Sequence, residues 1–406
     1  MRVNFEEVQS AAVALADYCR KADWSGWDPY DGLNSRVFQA MPFLQNKPAR
    51  LAFTQFMKRS PVNFRPLLGV PPGRNPKGVA LFATALIKQH CLGLGGLDEA
   101  RQLVDSLVDR RCPGQKHSAW GYHFDWQTRG ALVPSTMPNI VCTTFVAHAF
   151  LDLHDATGLD TYLDVAASAG RFITDELASD LPDDAFCIRY YMASRGTVHN
   201  ANLMGAALLA RLYGYRRDSR LEPFIRKATQ YSLKHQLADG SWPYGEHPGQ
   251  QWVDSFHTGF NLLALKQIGS QVEIAGLPEA VRKGYEYYRA HFFREDGAVR
   301  YFDDRTYPID AHAVGHAFIT LAAFSQEDPE ALPQAARCFR WAMENLRSPR
   351  DYFYHQKHPW FTNRIPYIRW SQAWMLLGLT SLMEAGKAAQ LKPAADPVRP
   401  SLSSIK

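Results

Sequence analysis

A repeat runs through the chain and constrains the fold more than any single motif does. Six segments of similar character recur about 55 to 64 residues apart. Each opens on a polar or aromatic stretch and continues into small and aliphatic residues with little charge, which is typical of a helix buried nearly all round. These segments begin at Asn75, Asn139, Asn200, Asp254, Asp310 and Tyr367.

Amphipathic segments alternate strictly with the buried ones. They cover residues 97–111, 161–177, 221–237, 277–292 and 332–346. Six pairs of an apolar inner helix and an amphipathic outer helix predict an all-α fold, a closed (α/α)6 toroid whose inner helices line the axis. One of two early helices, Phe5 to Lys21 or Arg50 to Lys58, is expected to close the ring, and the other is accessory. The alternative is an open α-solenoid, which would need polar capping helices at both ends.

Loops that lead from an outer helix into the next inner helix contain turn residues and aromatic residues. Asp239-Gly and Asp296-Gly each begin a turn that we expect to continue into a short strand. The aromatic loops around Gly121 and Tyr352 hold the same place in their repeats. Short β-hairpin loops are therefore expected on one face of the ring, where the inner helices begin.

Composition excludes several classes of protein. The 406 residues include 45 Lys or Arg against 40 Asp or Glu, so the net charge of +5 is small and argues against a nucleic-acid partner. The six cysteines never form a C-x-x-C pair, which argues against a disulfide framework or a zinc knuckle. No cofactor is expected.

We predict a single domain over residues 1–385, followed by a disordered tail over residues 386–406, which is rich in Pro, Ala and Ser. The first residues do not resemble a secretory signal, and no apolar run is long enough for a transmembrane segment. A cytoplasmic location is therefore expected.

The repeat pattern with aromatic loops resembles the (α/α)6 toroid of carbohydrate-active enzymes, which include glycoside hydrolases, uronate lyases and sugar epimerases. The stretches that start at Trp27, Asp239 and Asn363 are similar to VpsJ-like proteins of bacterial exopolysaccharide clusters. This resemblance implies an oligosaccharide or polysaccharide intermediate as ligand, and association with polysaccharide-synthesis machinery. Gln251-Trp-Val-Asp resembles the Trp-x-Asp helix start of unsaturated glucuronyl hydrolases, which implies an acid/base role for Asp254.

Asp254 and Asp310 open adjacent repeats and are candidates for a catalytic pair. Glycoside hydrolysis needs one carboxyl group to protonate the leaving oxygen and a second carboxylate to attack or to activate water. The alternative role for both residues is a helix N-cap, which is compatible with catalysis.

His257 and His312 follow these carboxylates and are also candidate catalytic residues. His312 and His316 share one helix face, but no Glu completes an H-E-x-x-H motif, so no metal site is expected. Neutral, hydrogen-bonded histidines are the simpler interpretation.

A lyase or C5-epimerase would use the same end of the ring differently, with Tyr or His as the base and Arg or Asn to neutralise an enediolate. The candidates for this chemistry are Tyr367, Arg369, Arg364, His257 and Asn200. An Arg that only pairs with a nearby Asp is the alternative.

Aromatic side chains in the loops suit the apolar faces of sugar rings. The candidate substrate-binding residues are Asn200, Trp242, Tyr244, Trp252, Arg364 and Trp370. The leading hypothesis is a glycoside hydrolase of exopolysaccharide metabolism. The uronate lyase or epimerase and a non-catalytic saccharide-binding subunit remain open.

Overall fold

The computed structural model describes residues 4–391, apart from residues 129, 183, 184 and 195. The inner helices are α4 (Pro76–Cys91), α6 (Ile140–Thr157), α8 (His199–Arg216), α10 (Ser255–Gly269), α12 (Ala311–Ala323) and α14 (Trp374–Leu391). The outer helices are α1 (Phe5–Lys21), α5 (Leu97–Val108), α7 (Asp160–Phe172), α9 (Glu222–Lys234), α11 (Leu277–Phe292) and α13 (Ala331–Asn345). The accessory helices α2 (Arg36–Gln39) and α3 (Lys47–Arg59) lie between α1 and α4. Among the described helices, none is both long and apolar enough to cross a bilayer.

The inner helices form a closed ring. Each one packs against the next along the chain, and the last, α14, packs against the first, α4. Each outer helix packs on an inner helix, and α1 is the outer partner of α14. The predicted (α/α)6 toroid is therefore confirmed, with α1 closing the ring and α3 as the accessory helix.

Helices α12 and α14 approach each other at two glycines. A Cβ on Gly378 would lie 2.4 Å from the carbonyl oxygen of Gly315, and a Cβ on Gly315 would lie 2.6 Å from the carbonyl oxygen of Trp374. Because a side chain at either position would collide with backbone, only glycine permits this crossing. The crossing sets Trp374 directly beside the start of α12.

Helix α14 continues beyond the predicted domain boundary, to Leu391. The expectation that the disordered tail starts at residue 386 is therefore wrong for residues 386–391. Lys387 to Gln390 are good helix formers, and Gly386 packs so closely on Phe5 that a Cβ would lie 2.1 Å from its ring. Residues 392–406 lie outside the described residues.

Short antiparallel strands occur in the loops. They are β1 (Trp126–Gln127), β2 (Leu132–Val133), β3 (Ala178–Asp180), β4 (Phe186–Ile188), β5 (Ile309–Asp310), β6 (Gln356–Lys357) and β7 (Thr362–Asn363). They pair as β1–β2, β3–β4 and β5–β6–β7. The strands expected after Asp239 and Asp296 are reduced to single bridges, Val198 with Gly245 and Phe293 with Val299. Pro243 has no N–H to donate to a longer ladder in the first of these loops.

One hydrogen bond recurs where the inner segments begin. The first N–H of the inner segment donates to the carbonyl of an aromatic residue in the loop of the next repeat. The pairs are Ile140 to Tyr190 (2.9 Å), His199 to Tyr244 (3.2 Å), Ser255 to Tyr301 (2.9 Å), Ala311 to His355 (3.0 Å) and Ile368 to Trp27 (3.0 Å). The remaining inner helix, α4, begins with Pro76, which has no N–H that needs an acceptor. Each loop is thereby fixed across the start of the preceding inner helix.

A buried ion pair attaches the N-terminal segment to the π-helical turn Ile368–Ala373, which leads into α14, and a second buried pair is hydrogen-bonded to Tyr367 just before that turn. Arg369 Nε and Nη2 donate to the two carboxylate oxygens of Asp28 at 2.6 and 2.8 Å. Arg65 Nε donates to Asp31 at 2.6 Å, and Arg65 Nη1 donates to the Tyr367 hydroxyl at 2.8 Å. Burial alone would raise the pKa of Asp28, but Arg369 outweighs it and holds that pKa below its ordinary value.

Replacement of Asp28 by Asn is expected to lower the free energy of unfolding by about 3–5 kcal/mol, because it leaves Arg369 buried without a counter-charge. Urea titration followed by circular dichroism measures this loss. Glu279→Gln is the matched control, since it removes a carboxylate from an exposed pair with Arg282 and should leave the free energy of unfolding nearly unchanged. Equal losses in the two variants would contradict the prediction.

A single domain over residues 1–385 further predicts one unfolding transition.

Candidate functional site

The loops before the inner helices place aromatic residues around one end of the ring axis. This set, the aromatic mouth, consists of Tyr30, Tyr122, Tyr190, Tyr244, Tyr301 and Trp370. The Tyr122 and Tyr190 hydroxyls are 3.0 Å apart, and the Tyr30 and Trp370 ring centres are 5.6 Å apart. Burial raises the pKa of Tyr244 well above its ordinary value, and the nearby Tyr190, Asp254 and Tyr30 raise it further. The Tyr244 phenol therefore stays protonated at neutral pH and can donate a hydrogen bond.

Asp254 caps α10 and also orients His257. Its Oδ1 accepts the backbone N–H of His257 at 2.9 Å, and its Oδ2 lies 2.6 Å from His257 Nδ1 and accepts from Trp252 Nε1 at 3.1 Å. The Asp254 side chain is 1% exposed, whereas that of His257 is 22% exposed. With its proton on Nδ1, His257 keeps a free lone pair on Nε2. Its ring lies 4.6 Å from that of Tyr244, at the edge of the aromatic mouth.

Asp310 caps α12, and its carboxylate is surrounded by donors. Oδ1 accepts the backbone N–H of His312 at 2.7 Å and Trp370 Nε1 at 3.1 Å. Oδ2 accepts Gln356 Nε2 at 2.6 Å and lies 3.4 Å from His355 Nε2. The side chain is fully buried. The structure thus brings Asp254 and Asp310 to the same end of the ring but leaves Asp310 no free oxygen for a substrate.

Lys77 lies beneath the mouth, in a cage of aromatic rings. Its Nζ is 4.6 Å from the ring centre of Phe145, 5.0 Å from that of Trp374 and 5.5 Å from that of Phe260. Burial lowers the pKa of Lys77 to about 7, and the positive charge of Arg369 lowers it further. An amine that titrates near neutral pH can both give and take a proton there.

His312 and His316 lie next to Lys77. The His312 ring stacks between Phe256 at 4.3 Å and Trp374 at 4.6 Å, and within the described residues neither ring nitrogen has a hydrogen-bond partner. Burial, with Lys77 nearby, lowers the pKa of His316 to about 3 and that of His312 well below its ordinary value. Both rings are therefore neutral, as expected, although the expectation that they are hydrogen-bonded is wrong for His312.

Tyr367 and Arg369 are held in the buried ion-pair network rather than presented to solvent. The Tyr367 hydroxyl accepts from Arg65, and the side chain is fully buried. Arg369 is paired with Asp28 and lies 5.2 Å from the Tyr122 ring centre and 5.3 Å from that of Trp370, so it borders the mouth from below. The interpretation of Arg369 as an Arg paired with an Asp matches the structure. Tyr367 has no exposed surface with which to act as a base.

The predicted substrate-binding residues are placed differently from one another. Tyr244 and Trp252 stack with ring centres 4.7 Å apart at the mouth, and Trp370 lies across it. Trp242 is buried, because its indole packs over Gly284 and its Nε1 donates to the Ser232 carbonyl at 2.8 Å. It therefore has no face to offer a sugar.

The remaining two candidates, Asn200 and Arg364, differ in exposure. Asn200 is buried in α8, and its Oδ1 has no hydrogen-bond partner within the described chain. Arg364 is exposed and packs over the Tyr354 ring at 5.4 Å.

Sequence reasoning did not identify Lys77, Tyr30, Tyr122 or Tyr190 as site residues. A signal for Lys77 is present, since it is the one charged residue between Asn75 and Ile87 at the start of an apolar helix. The tyrosines could be found by their place in the repeat, because the aromatic residue before each inner helix recurs. The buried Asp28 left no comparable signal, because its partner is 341 positions away.

A cavity of about 460 Å³ opens beside the mouth and is lined in part by His199, His235, Glu246 and Gln251. Burial lowers the pKa of His199 to about 4, and within the described chain its Nε2 has no hydrogen-bond partner. Glu246 Oε1 lies 3.0 Å from His235 Nε2. Because Gln251 precedes Trp252, the cavity and the mouth share one loop as a wall. No group of three or more His, Cys, Asp or Glu in the described ranges is arranged to hold a metal ion.

No family model matches the sequence, and no curated protein matches it either. Solved structures do match the fold. An α-mannanase of family GH76 from Bacteroides thetaiotaomicron aligns with a TM-score of 0.62 at 11% identity, covering 78% of this chain and 88% of that chain. A cellobiose 2-epimerase from Spirochaeta thermophila aligns with a TM-score of 0.58 at 13% identity, covering 78% and 87%.

An unsaturated glucuronyl hydrolase specific for heparin covers more of the chain. It aligns with a TM-score of 0.60 at 13% identity over 94% of this chain and 97% of that chain. At these identities the likeness establishes the fold, an (α/α)6 toroid that glycoside hydrolases and sugar epimerases share.

Lys77→Met is expected to stabilise the protein more at pH 6 than at pH 9. Below about pH 7 the amine is charged in both states, and burial penalises the folded one. Between pH 7 and 10.5 the folded amine is neutral while the unfolded amine still binds a proton, so stability rises with pH. Urea titrations of the wild type and the variant at both pH values give the change in the free energy of unfolding at each pH, and the two changes are then compared. Lys283→Met, at an exposed site, is the control and should show none. An equal effect of Lys77→Met at both pH values would contradict the prediction.

Proposed function

We propose that this protein is a carbohydrate-active enzyme that moves a proton on a saccharide bound in the aromatic mouth, with His257 as the catalytic base. The observation that carries the proposal is the Asp254–His257 pair. Its 2.6 Å hydrogen bond joins a buried carboxylate to a partly exposed imidazole whose Nε2 makes no hydrogen bond to the described residues. A carboxylate that fixes the tautomer and orientation of a histidine is a recurrent device of general acid/base catalysis.

The proposed step begins at a carbon next to the sugar carbonyl or carboxylate. His257 Nε2 takes the proton, and the electron pair of the broken C–H bond passes into an enediolate. Hydroxyl groups of Tyr244 and Tyr301, which burial keeps protonated, would donate hydrogen bonds to that charge. Return of a proton to the opposite face gives an epimer, whereas loss of a glycosidic oxygen from the neighbouring carbon gives an unsaturated sugar.

The surroundings of the mouth suit a saccharide. The stacked Tyr244 and Trp252 offer an aromatic face to a pyranose ring, and phenols around the mouth can bind hydroxyls. The adjoining cavity of about 460 Å³ has room for a further sugar unit of an oligosaccharide. Lys77, with a pKa of about 7, is a second proton-transfer group beneath the mouth.

Glycoside hydrolysis is the second candidate, with Asp254 as the acid. It is supported by the Trp252–Asp254 contact at 3.1 Å, which provides a structural basis for the resemblance to the Trp-x-Asp helix start. A hydrolase with paired carboxylates is less well supported, because Asp310 is fully buried and its oxygens are already hydrogen-bonded. A water held by His257 would have to act in place of Asp310.

The biological setting of the proposal is exopolysaccharide or capsule metabolism. It rests on the similarity of the stretches at Trp27, Asp239 and Asn363 to VpsJ-like proteins. An oligosaccharide or polysaccharide intermediate as substrate and an association with polysaccharide-synthesis machinery remain predictions of the same resemblance. A cytoplasmic location remains a prediction from the sequence.

Incubation of the purified protein with acidic and neutral oligosaccharides in deuterated water tests the reaction. Proton abstraction predicts deuterium in the sugar or an unsaturated product, both of which mass spectrometry detects. His257→Gln should slow this reaction by about 10²–10⁴-fold, since it removes the base. The control is His90→Gln, at an exposed position near the far end of α4, which should keep full activity.

Other outcomes separate the alternatives. Full activity of His257→Gln would refute the proposal. Incorporation of ¹⁸O from labelled water, lost in Asp254→Asn but retained in His257→Gln, would establish hydrolysis instead. Saccharide binding without turnover by any variant would identify a binding subunit.

A further inference from the structure

The accessory segment between α1 and α4 has an unusual charge distribution. From Gly32 to Leu97 the sequence contains no Asp or Glu, although it contains nine Lys or Arg. The charge of the whole chain is nearly balanced, so this segment is a local positive region. Within the described residues, Arg36, Lys47 and Arg59 are exposed and have no carboxylate partner. Elsewhere, by contrast, exposed cations such as Arg282 are paired with neighbouring carboxylates.

Large apolar side chains project from the same segment. Phe43 is 75% exposed and Leu67 is 77% exposed, and Phe56 and Val62 lie between them in sequence and are also exposed. Phe56 belongs to a row of packed rings, in which its ring centre lies 5.3 Å from that of Phe64. Soluble proteins bury side chains of this size where they can, so a cluster of them marks a contact surface.

The hairpin of β6 and β7 extends this surface. Its tip carries Trp360, which is 93% exposed, and Phe361, and its base is joined to the accessory segment by a hydrogen bond of 3.2 Å from Asn363 Nδ2 to the Ser60 carbonyl. Between Tyr352 and Met383 the sequence again contains no acidic residue. Exposed Trp and Phe side chains flanked by cations are typical of proteins that insert at a membrane interface.

We propose that this surface docks the protein on an anionic lipid bilayer. Phe43, Leu67 and Trp360 enter the boundary between headgroups and acyl chains, while Arg36, Lys47 and Arg59 bind the phosphates. Charge complementarity selects an anionic bilayer, and the protruding apolar side chains, which include the aliphatic Leu67, select a membrane over a polyanion such as nucleic acid, whose surface offers no acyl chains. The inference is independent of the reaction proposed above.

The surface adjoins the aromatic mouth. Lys58, at the end of α3, donates to the Tyr30 hydroxyl at 2.7 Å, and Tyr30 lies against Trp370. A protein docked in this way holds its mouth next to the bilayer, within reach of saccharides attached to lipids.

Co-sedimentation with vesicles tests the proposal. The full-length protein should bind vesicles of phosphatidylcholine with 30% phosphatidylglycerol and should not bind pure phosphatidylcholine, with an affinity that falls between 50 and 500 mM NaCl. The triple variant Arg36→Gln/Lys47→Gln/Arg59→Gln should bind about 100-fold more weakly. The triple variant Phe43→Ser/Leu67→Ser/Trp360→Ser should lose at least about tenfold in affinity at either salt concentration.

A matched control removes three exposed cations from the opposite end of the ring. Arg216→Gln/Arg217→Gln/Arg220→Gln carries the same loss of charge, at the end of α8, and should bind like the wild type. Circular dichroism and Tm values verify that all variants fold. Absence of binding to the anionic vesicles, or equal weakening in the control, would overturn the proposal. Tight binding to duplex DNA without binding to vesicles would overturn it as well.

Discussion

The hydrogen bond from the first N–H of an inner segment to an aromatic residue's carbonyl in the next loop organises this end of the molecule. A buried helix start leaves N–H groups that must find acceptors. Here, the loop of the following repeat provides one, from Tyr190 for α6 to Trp27 for the turn before α14. Among the acceptors, Tyr190, Tyr244 and Tyr301 belong to the aromatic mouth, so the contact that joins neighbouring repeats also holds these three residues there.

Close packing around the axis then determines the chemistry of the groups placed there. Lys77, His312 and His316 are shielded from water by Phe260 and Trp374, and burial lowers the pKa of each. Only a group with a carboxylate partner can be charged at low cost in such surroundings. Arg369 has that partner in Asp28. This explains why its guanidinium stays charged beneath the mouth, while the neighbouring amine of Lys77 titrates near neutral pH.

Local sequence patterns were sufficient to predict the ring of helices but not to predict the arrangement of the site. The apolar inner segments and their polar first residues predicted the hairpins, because helix burial and capping depend on neighbours a few positions away. The pairing of Asp28 with Arg369 and of Arg65 with Tyr367 depends on ring closure, which joins residues some 300 positions apart. For the same reason, the sequence did not distinguish Tyr367 and Trp242, which are buried, from Tyr244, which lies at the mouth.

Asp254 and Asp310 occupy the same N-cap position but have different roles. Both accept the N–H of a histidine in the first turn of their helix, so both carboxylates are held in nearly the same way. Strand β6 then brings Gln356 to Asp310, and Trp370 covers its other oxygen. At Asp254 the neighbouring loop contributes a backbone bridge through Phe302, and the second oxygen accepts from Trp252 Nε1 and lies 2.6 Å from His257 Nδ1. The cap that stabilises α10 is thus also the group that orients the imidazole, and structural and catalytic roles for Asp254 are not alternatives.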